Sequence, residues 1–326
     1  MLTLDYDAIM RLVAPADLTR PIRAAFRHPA VAPDRSHYAV GRGSQPPGSL
    51  MVMPAWREGD FIGVRIGGVF PGNAALELPT VTGQYLLMSA ETGEAAALLD
   101  GAALSLLRAC TVSAVAADIL APRQARRLLM IGAGALAPFL VEAHACVRDY
   151  ERIEIWARDR ARAERLAERL ARMSIPAEVA VDLERAARRA DVVSCATMAD
   201  QPLVRGGWLK PDCHLDLVGG FRPDMREADD DAFRGAMVVT DAPRAAAECG
   251  DLCEPLAARV LAGADILSLE DICAAGFERR PGARRTVFKQ IGAAGADLAA
   301  AEHVLHRAVA ARPRRDQAGL VAQFAH

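Results

Sequence analysis

The residues with the clearest chemical capacity are a glycine turn and a set of arginines. Gly132-Ala133-Gly134-Ala135-Leu136-Ala137 has the spacing G-x-G-x-x-A, in which the first glycine permits a tight turn and the second lets backbone approach a pyrophosphate. A helix opening just after such a turn adds amide donors and the positive end of its dipole. About 20 residues beyond such a motif, a carboxylate normally accepts from a free ribose 2′-hydroxyl. Here the chain reads Trp156-Ala157-Arg158-Asp159-Arg160, with alanine where that acid is expected. Arg158 and Arg160 are therefore read as a grip on a 2′-phosphate, which favours NADP(H) over NAD(H). Asp159 is read as a helix cap. The plainer alternative is a helix start with solvated arginines.

Proton transfer has few candidate amines, because only two lysines occur, Lys210 and Lys289. Arginine, charged at any ordinary pH, suits the bidentate clamping of a carboxylate rather than proton exchange. The seven cysteines are irregularly spaced and form no C-x-x-C pair. Cys249 and Cys253 lack partner ligands at zinc spacing, so no metal site is expected. This cysteine usage points to a reducing compartment, and with no secretory start the chain is read as cytoplasmic.

The elements that must position these residues follow from periodicity. Leu128–Ile131 is a short apolar run, the glycine turn follows, and Leu136 to Arg148 has helical spacing. Ile153–Trp156 reads as a second strand and Arg160–Arg172 as a helix, with further strands predicted at Ala177–Val181, Val192–Cys195, His214–Val218 and Met237–Thr240. Alternation of this kind predicts an α/β doubly wound parallel sheet of Rossmann type over about 121–292. In that context the glycine turn is read as a cofactor site. Thr197 and Gly219 are included among the expected cofactor contacts.

Before residue 120 the pattern changes to strand-like pieces at Leu50–Met53, Gly63–Val69 and Gln84–Met88 among scattered glycine and proline, then a helix at Ala102–Leu120. A smaller α+β domain over 1–120 is expected there. An alanine-rich helix from about Gln290 to Ala311 is expected to return to it, giving that domain a C-terminal part at about 293–326. With 326 residues, 52% hydrophobic and 25% charged at a net charge of -2, the chain reads as two globular domains without the clustered positive charge that nucleic acid requires. No uninterrupted apolar run reaches the ~18 residues of a membrane span. The arginine-rich stretch Arg307–Arg315 is read as a solvated helix end.

Several segments together resemble the ornithine cyclodeaminase/mu-crystallin family in order and spacing. They are Gly63-Val64-Arg65-Ile66 with Pro71-Gly72-Asn73, Leu107-Arg108-Ala109-Cys110-Thr111, Ile131–Ala137, Val218–Glu227 and Thr286-Val287-Phe288-Lys289. The resemblance runs from about Arg35 to Gly292. It implies a homodimer using NAD(P), acting on a small amino or imino acid, with the last helix rejoining the first domain. It places Arg35 and Arg108 on the substrate carboxylate, Met53 on the family's Met-Pro element, and Phe221 in the substrate site.

Three departures shape the functional expectation. Arg65 stands where the family carries a proton-exchanging lysine, and arginine is a poor general acid or base. Phe221 replaces the aspartate that engages the distal amine of ornithine. The usual Arg-Thr-Ala-Ala run reads Arg108-Ala109-Cys110-Thr111. The expectation is an NAD(P)H-dependent reductase of a cyclic ketimine or α-imino acid, or an amino-acid dehydrogenase in reverse, with Arg108 and Arg65 as catalytic residues. An ornithine-type cyclodeaminase and a lapsed, ligand-binding NADP protein stay open as alternatives.

Overall fold

The computed structural model describes residues 1–41, 48–277, 279 and 284–312. The ends expected for the C-terminal helix and for the Arg307–Arg315 stretch lie partly outside them. The chain divides into two compact units, one made of Met1–Arg108 and the chain from Ala294 onward, the other of Ala109–Ala293.

In the first unit, β1 (Leu2–Leu4), α1 (Tyr6–Leu12), α2 (Pro15–Arg27), β2 (Ser36–Val40), β3 (Gly48–Trp56), β4 (Phe61–Val69), β5 (Val81–Ser89) and β6 (Ala95–Asp100) lead into α3 (Gly101–Leu120). The strands form one sheet in the order β1-β6-β5-β4-β3-β2, antiparallel except for the parallel β1–β6 pair. The start of α2 follows from helix chemistry: Pro15 opens it where an amide donor is not needed, and Asp17 accepts from Ala14 N at 2.9 Å. Leu18, Ile22, Ala25 and Phe26 recur at helical spacing on its buried face.

The second unit holds β7 (Arg127–Ile131), α4 (Ala137–Val147), β8 (Arg152–Trp156), α5 (Arg160–Arg172), β9 (Glu178–Val179), α6 (Leu183–Arg189), β10 (Val192–Cys195) and β11 (His214–Leu217). There follow α7 (Asp230–Phe233), β12 (Met237–Thr240), α8 (Ala245–Glu248), α9 (Gly250–Ala257), β13 (Ile266–Ser268), α10 (Leu269–Ala274) and β14 (Thr286–Lys289). The sheet runs β13-β12-β14-β11-β10-β7-β8-β9, and every pairing is parallel. The doubly wound parallel sheet read from the sequence is what is found. Beyond that reading, β14 inserts between β11 and β12. Strand β9 is shorter than Ala177–Val181, because as the outermost strand it pairs with β8 only at Glu178 and Val179.

The last helix, α11 (Ala294–Ala310), belongs to the first unit, where it packs on α2, β3, β4 and β5. It starts four residues later than Gln290. Gly292 has φ +98°, and the Asp241 carboxylate accepts from Ile291 N and Gly292 N, so this stretch is a pinned loop. Helix α3 is long and apolar enough to cross a membrane when judged by average composition, which counting uninterrupted runs does not register. Most of that stretch is buried within the protein.

Candidate functional site

In the second unit the chain reverses winding between β7 and β10, and ligands of open parallel sheets bind beyond the strand ends at such a switch point. A cavity of about 410 Å³ lies there, with Gly132, Gly134, Arg158, Asp159, Arg162 and Thr197 among its lining residues. Gly132 donates to Trp156 O at 2.8 Å and has φ +110°. A Cβ there would lie 2.5 Å from Ala196 O, so both conformation and space demand glycine. Gly134 differs, because its Cβ would meet no protein atom within 4 Å. That open space, bounded by backbone and the start of α4, is the kind of cradle a dinucleotide pyrophosphate fits.

Ala133 also lines the cavity, whereas Ala135, Leu136 and Ala137 form the turn into α4. Ala137 is fully buried. Its small side chain serves helix–sheet packing rather than ligand contact.

The basic residues at the end of β8 are arranged differently from the sequence expectation. Arg158 lines the cavity. Arg160 is not among the lining residues, and its Nε pairs with Glu164 Oε1 at 2.8 Å on the exposed face of α5. Arg162 lines the cavity in its place, with Nε 3.4 Å from Asp159 Oδ2. Asp159 also caps α5 by accepting from Ala161 N. The i,i+4 spacing of Arg160 and Glu164 was the available signal for this difference.

Glu227 is a residue the sequence reading did not assign. Its Oε1 accepts from Thr197 N and Thr197 Oγ1 at 2.7 and 2.8 Å, and its Oε2 accepts from Gly219 N at 2.7 Å. One carboxylate thus ties the loops after β10 and β11, which holds Thr197 at the cavity wall. Gly219 itself is packed so closely that a Cβ would lie 2.0 Å from Thr197 O. Beneath them, Asp251 Oδ1 accepts from Glu227 N, and Lys289 Nζ sits 3.0 Å from Asp251 Oδ2 with both side chains wholly buried. Burial pushes the Glu227 carboxyl up to about 7 while Lys289 opposes the shift. Lys210, the other lysine, pairs with Asp191 at 2.6 Å. Phe221 lies in the loop after β11, half-exposed, with the Arg222 guanidinium 5.9 Å from its ring.

The first unit carries the other cluster. Met53, Arg65 and Tyr85 are directly opposed on β3, β4 and β5, so they share a sheet face. Arg35 comes one residue before Ser36, which pairs with Val52, and its Nη1 lies 3.9 Å from Met51 Sδ. Arg65 donates to Ser105 Oγ on α3. Arg108 Nε donates to Asp297 Oδ1 on α11 at 2.7 Å, and Arg65 Nη1 lies 4.0 Å from the same oxygen. All three side chains are largely buried. Burial lowers the Arg65 guanidinium from its ordinary value, with the Asp297 charge opposing and Arg108 reinforcing.

Two guanidiniums around one carboxylate leave a net positive, partly desolvated site, suited to a second carboxylate. Ser105, Tyr85 and Asp297 are members that the sequence reading missed. Asp297 is 189 residues from Arg108 in the chain, and nothing local marks it as a partner.

Residues 2–312 match the model of the ornithine cyclodeaminase/mu-crystallin family. The chain is 36% identical to Protein SAR DEFICIENT 4 of Arabidopsis thaliana over 84% of this chain and 86% of that protein. It is 37% identical to a delta(1)-pyrroline-2-carboxylate reductase of Paracoccus denitrificans over 79% and 83% of the two chains. Among solved structures, Thermococcus litoralis delta(1)-pyrroline-2-carboxylate reductase in complex with NADH and L-proline superposes with a TM-score of 0.87 at 26% identity, covering 95% of this chain and 98% of that one. An archaeal alanine dehydrogenase dimer with bound NAD gives 0.86 at 25% identity, covering 95% and 96%.

Proposed function

The chain belongs to the ornithine cyclodeaminase/mu-crystallin family, and from that membership we propose that it is an NAD(P)H-dependent reductase of a small cyclic imino acid. The observation that carries this reading is the buried Arg65–Asp297–Arg108 cluster. It keeps the means to hold a carboxylate but lacks a lysine to exchange a proton.

Gly132, Gly134 and Thr197 are the residues that would hold the dinucleotide, and a bound reduced nicotinamide supplies the hydride. The chain's own groups do the rest. Arg108, its Nε fixed by Asp297, and Arg65, held on Ser105, bind and orient the substrate carboxylate, so positioning accounts for much of the rate. Arginine does not release a proton at working pH. The imine nitrogen must therefore carry its proton on arrival.

The test is incubation with Δ1-pyrroline-2-carboxylate and NADPH, followed by loss of NADPH absorbance and appearance of proline. Ornithine converted to proline and ammonia without net nucleotide oxidation would overturn the reading in favour of a cyclodeaminase.

Preference for NADPH over NADH belongs to the same proposal and is supported by Arg158 and Arg162 on the cavity wall. So does a homodimer. Tyr38 and Val40 on the edge strand β2, with Ile66 and Val69 on β4, are exposed apolar side chains on the first unit's sheet, and the archaeal alanine dehydrogenase is a dimer. A sedimentation measurement on wild type and Tyr38→Glu tests it. A reducing cytoplasmic location is supported by seven free cysteines.

A further inference from the structure

Two buried polar atoms in the arginine cluster have no hydrogen-bond partner among the described residues: Asp297 Oδ2 and the Tyr85 hydroxyl. Asp297 is 1% exposed, and its other oxygen is already committed to Arg108. Tyr85 is equally buried, beside Arg65 in the sheet register. A buried carboxylate oxygen without a donor is costly, and such atoms in native proteins call for an explanation. Here the surroundings supply one. Around the orphan acceptor stand guanidiniums that suit a carboxylate, so the complementary ligand carries a carboxylate and an N–H donor a bond or two apart.

We propose that Asp297 Oδ2 accepts the N–H of the substrate, so that the site selects an α-iminium carboxylate in its protonated form. This rests on the reductase reading and names the ionic form that the site takes. A neutral imine presents a nitrogen lone pair, which would face the Asp297 oxygen acceptor to acceptor. The protonated form presents N–H and a positive charge to the same oxygen. With the proton already in place, hydride adds to C2, the C=N π pair becomes the nitrogen lone pair, and the product leaves as an amine that takes a further proton from water. No side chain needs to deliver a proton during the step, which accords with arginine at position 65. Tyr85, whose phenol burial holds well above its ordinary range, remains a hydroxyl and can donate to the substrate carboxylate.

Two flat, non-reacting carboxylates separate this role from simple anion binding. Pyrrole-2-carboxylate carries a ring N–H, and furan-2-carboxylate carries a ring oxygen in its place. Calorimetry on the wild-type protein should show tighter binding of the pyrrole by roughly 10-fold or more, the loss expected for one charged hydrogen bond. Asp297→Asn, which keeps an acceptor for Arg108 but offers an NH₂ elsewhere, should abolish or invert that difference. In turnover, the alkaline fall of kcat should move to lower pH in Asp297→Asn, because the bound iminium is no longer stabilised, whereas the fall of kcat/KM set by the free imine should stay in place. Asp297→Glu keeps the charge and should recover part of the loss. Equal binding of the two carboxylates by wild type, or undiminished discrimination in Asp297→Asn, would overturn the assignment. Nucleotide affinity and melting temperature monitor folding of the variants, and if Asp297→Asn does not fold, the wild-type comparison decides alone. If imine is reduced while the discrimination is absent, only this inference fails. If neither carboxylate binds and no imine is consumed, the reductase reading fails with it.

Discussion

The Tyr85 hydroxyl lies directly over Gly63, so that a Cβ at residue 63 would sit 2.1 Å from the phenolic oxygen and 2.7 Å from Cζ. Glycine at this position is what lets an aromatic side chain lie flat across the strand beside Arg65. Gly63→Ala should destabilise the protein by about 1–3 kcal/mol, the usual cost of overpacking. In combination with Tyr85→Leu the penalty should shrink, since the opposing ring is gone. Thermal or urea unfolding of the two single variants and the double variant measures the coupling, and purely additive losses would contradict the contact.

The two glycines of the nucleotide turn should fail in different ways. Gly134→Val projects into space that no protein atom fills. It should leave the melting temperature near wild type while removing nucleotide binding. Gly132→Ala meets Ala196 O and a φ of +110°, so it should lower stability as well. Fluorescence titration with NADPH beside thermal unfolding distinguishes the two.

Cofactor choice should respond to Arg158 and Arg162 but not to Arg160. Each of Arg158→Ala and Arg162→Ala should weaken NADPH more than NADH, by about 1.5–3 kcal/mol per charged hydrogen bond lost. Arg160→Ala should change neither affinity, because that side chain pairs with Glu164 in solvent. Equal weakening of both nucleotides by Arg158→Ala would show that it does not read a 2′-phosphate.

This difference between neighbouring arginines shows where a sequence stops being readable. Strand, turn and helix around Gly132 follow from local patterns, since apolar runs and glycine spacing act within a few residues. Whether residue 160 or 162 faces the cavity depends on helix phase and on a competing glutamate one turn away. The arginine cluster was partly legible, because Arg65 and Arg108 stand in motif-like segments. Its organising carboxylate was not, since Asp297 reaches Arg108 only when α11 folds onto the sheet of the first unit. Glu227 lay inside a quoted motif, yet its role arises from two loops that meet only in the folded sheet.

Stability should depend on pH through Glu302. Burial pushes its carboxyl from an ordinary 4.5 to about 7, with Arg57 opposing. A carboxyl whose pKa is raised by folding favours the proton-bound native state. Its contribution is complete below about 4.5 and is lost as pH rises through about 7. The size is on the order of a few kcal/mol at most. Glu302→Gln should flatten that part of the stability profile between pH 4.5 and 7, as followed by urea unfolding at several pH values. An unchanged slope would assign the dependence to other groups.

Both lysines are paired with carboxylates, Lys289 with Asp251 in the interior and Lys210 with Asp191. Cyclic imino acids in water stand in equilibrium with ring-opened keto acids, and ketones condense with neutral amines. If the chain is the reductase proposed above, it offers such carbonyl compounds almost no nucleophilic nitrogen from its side-chain amines. The near absence of lysine would then double as protection against adduct formation by the reactants of that proposed reaction.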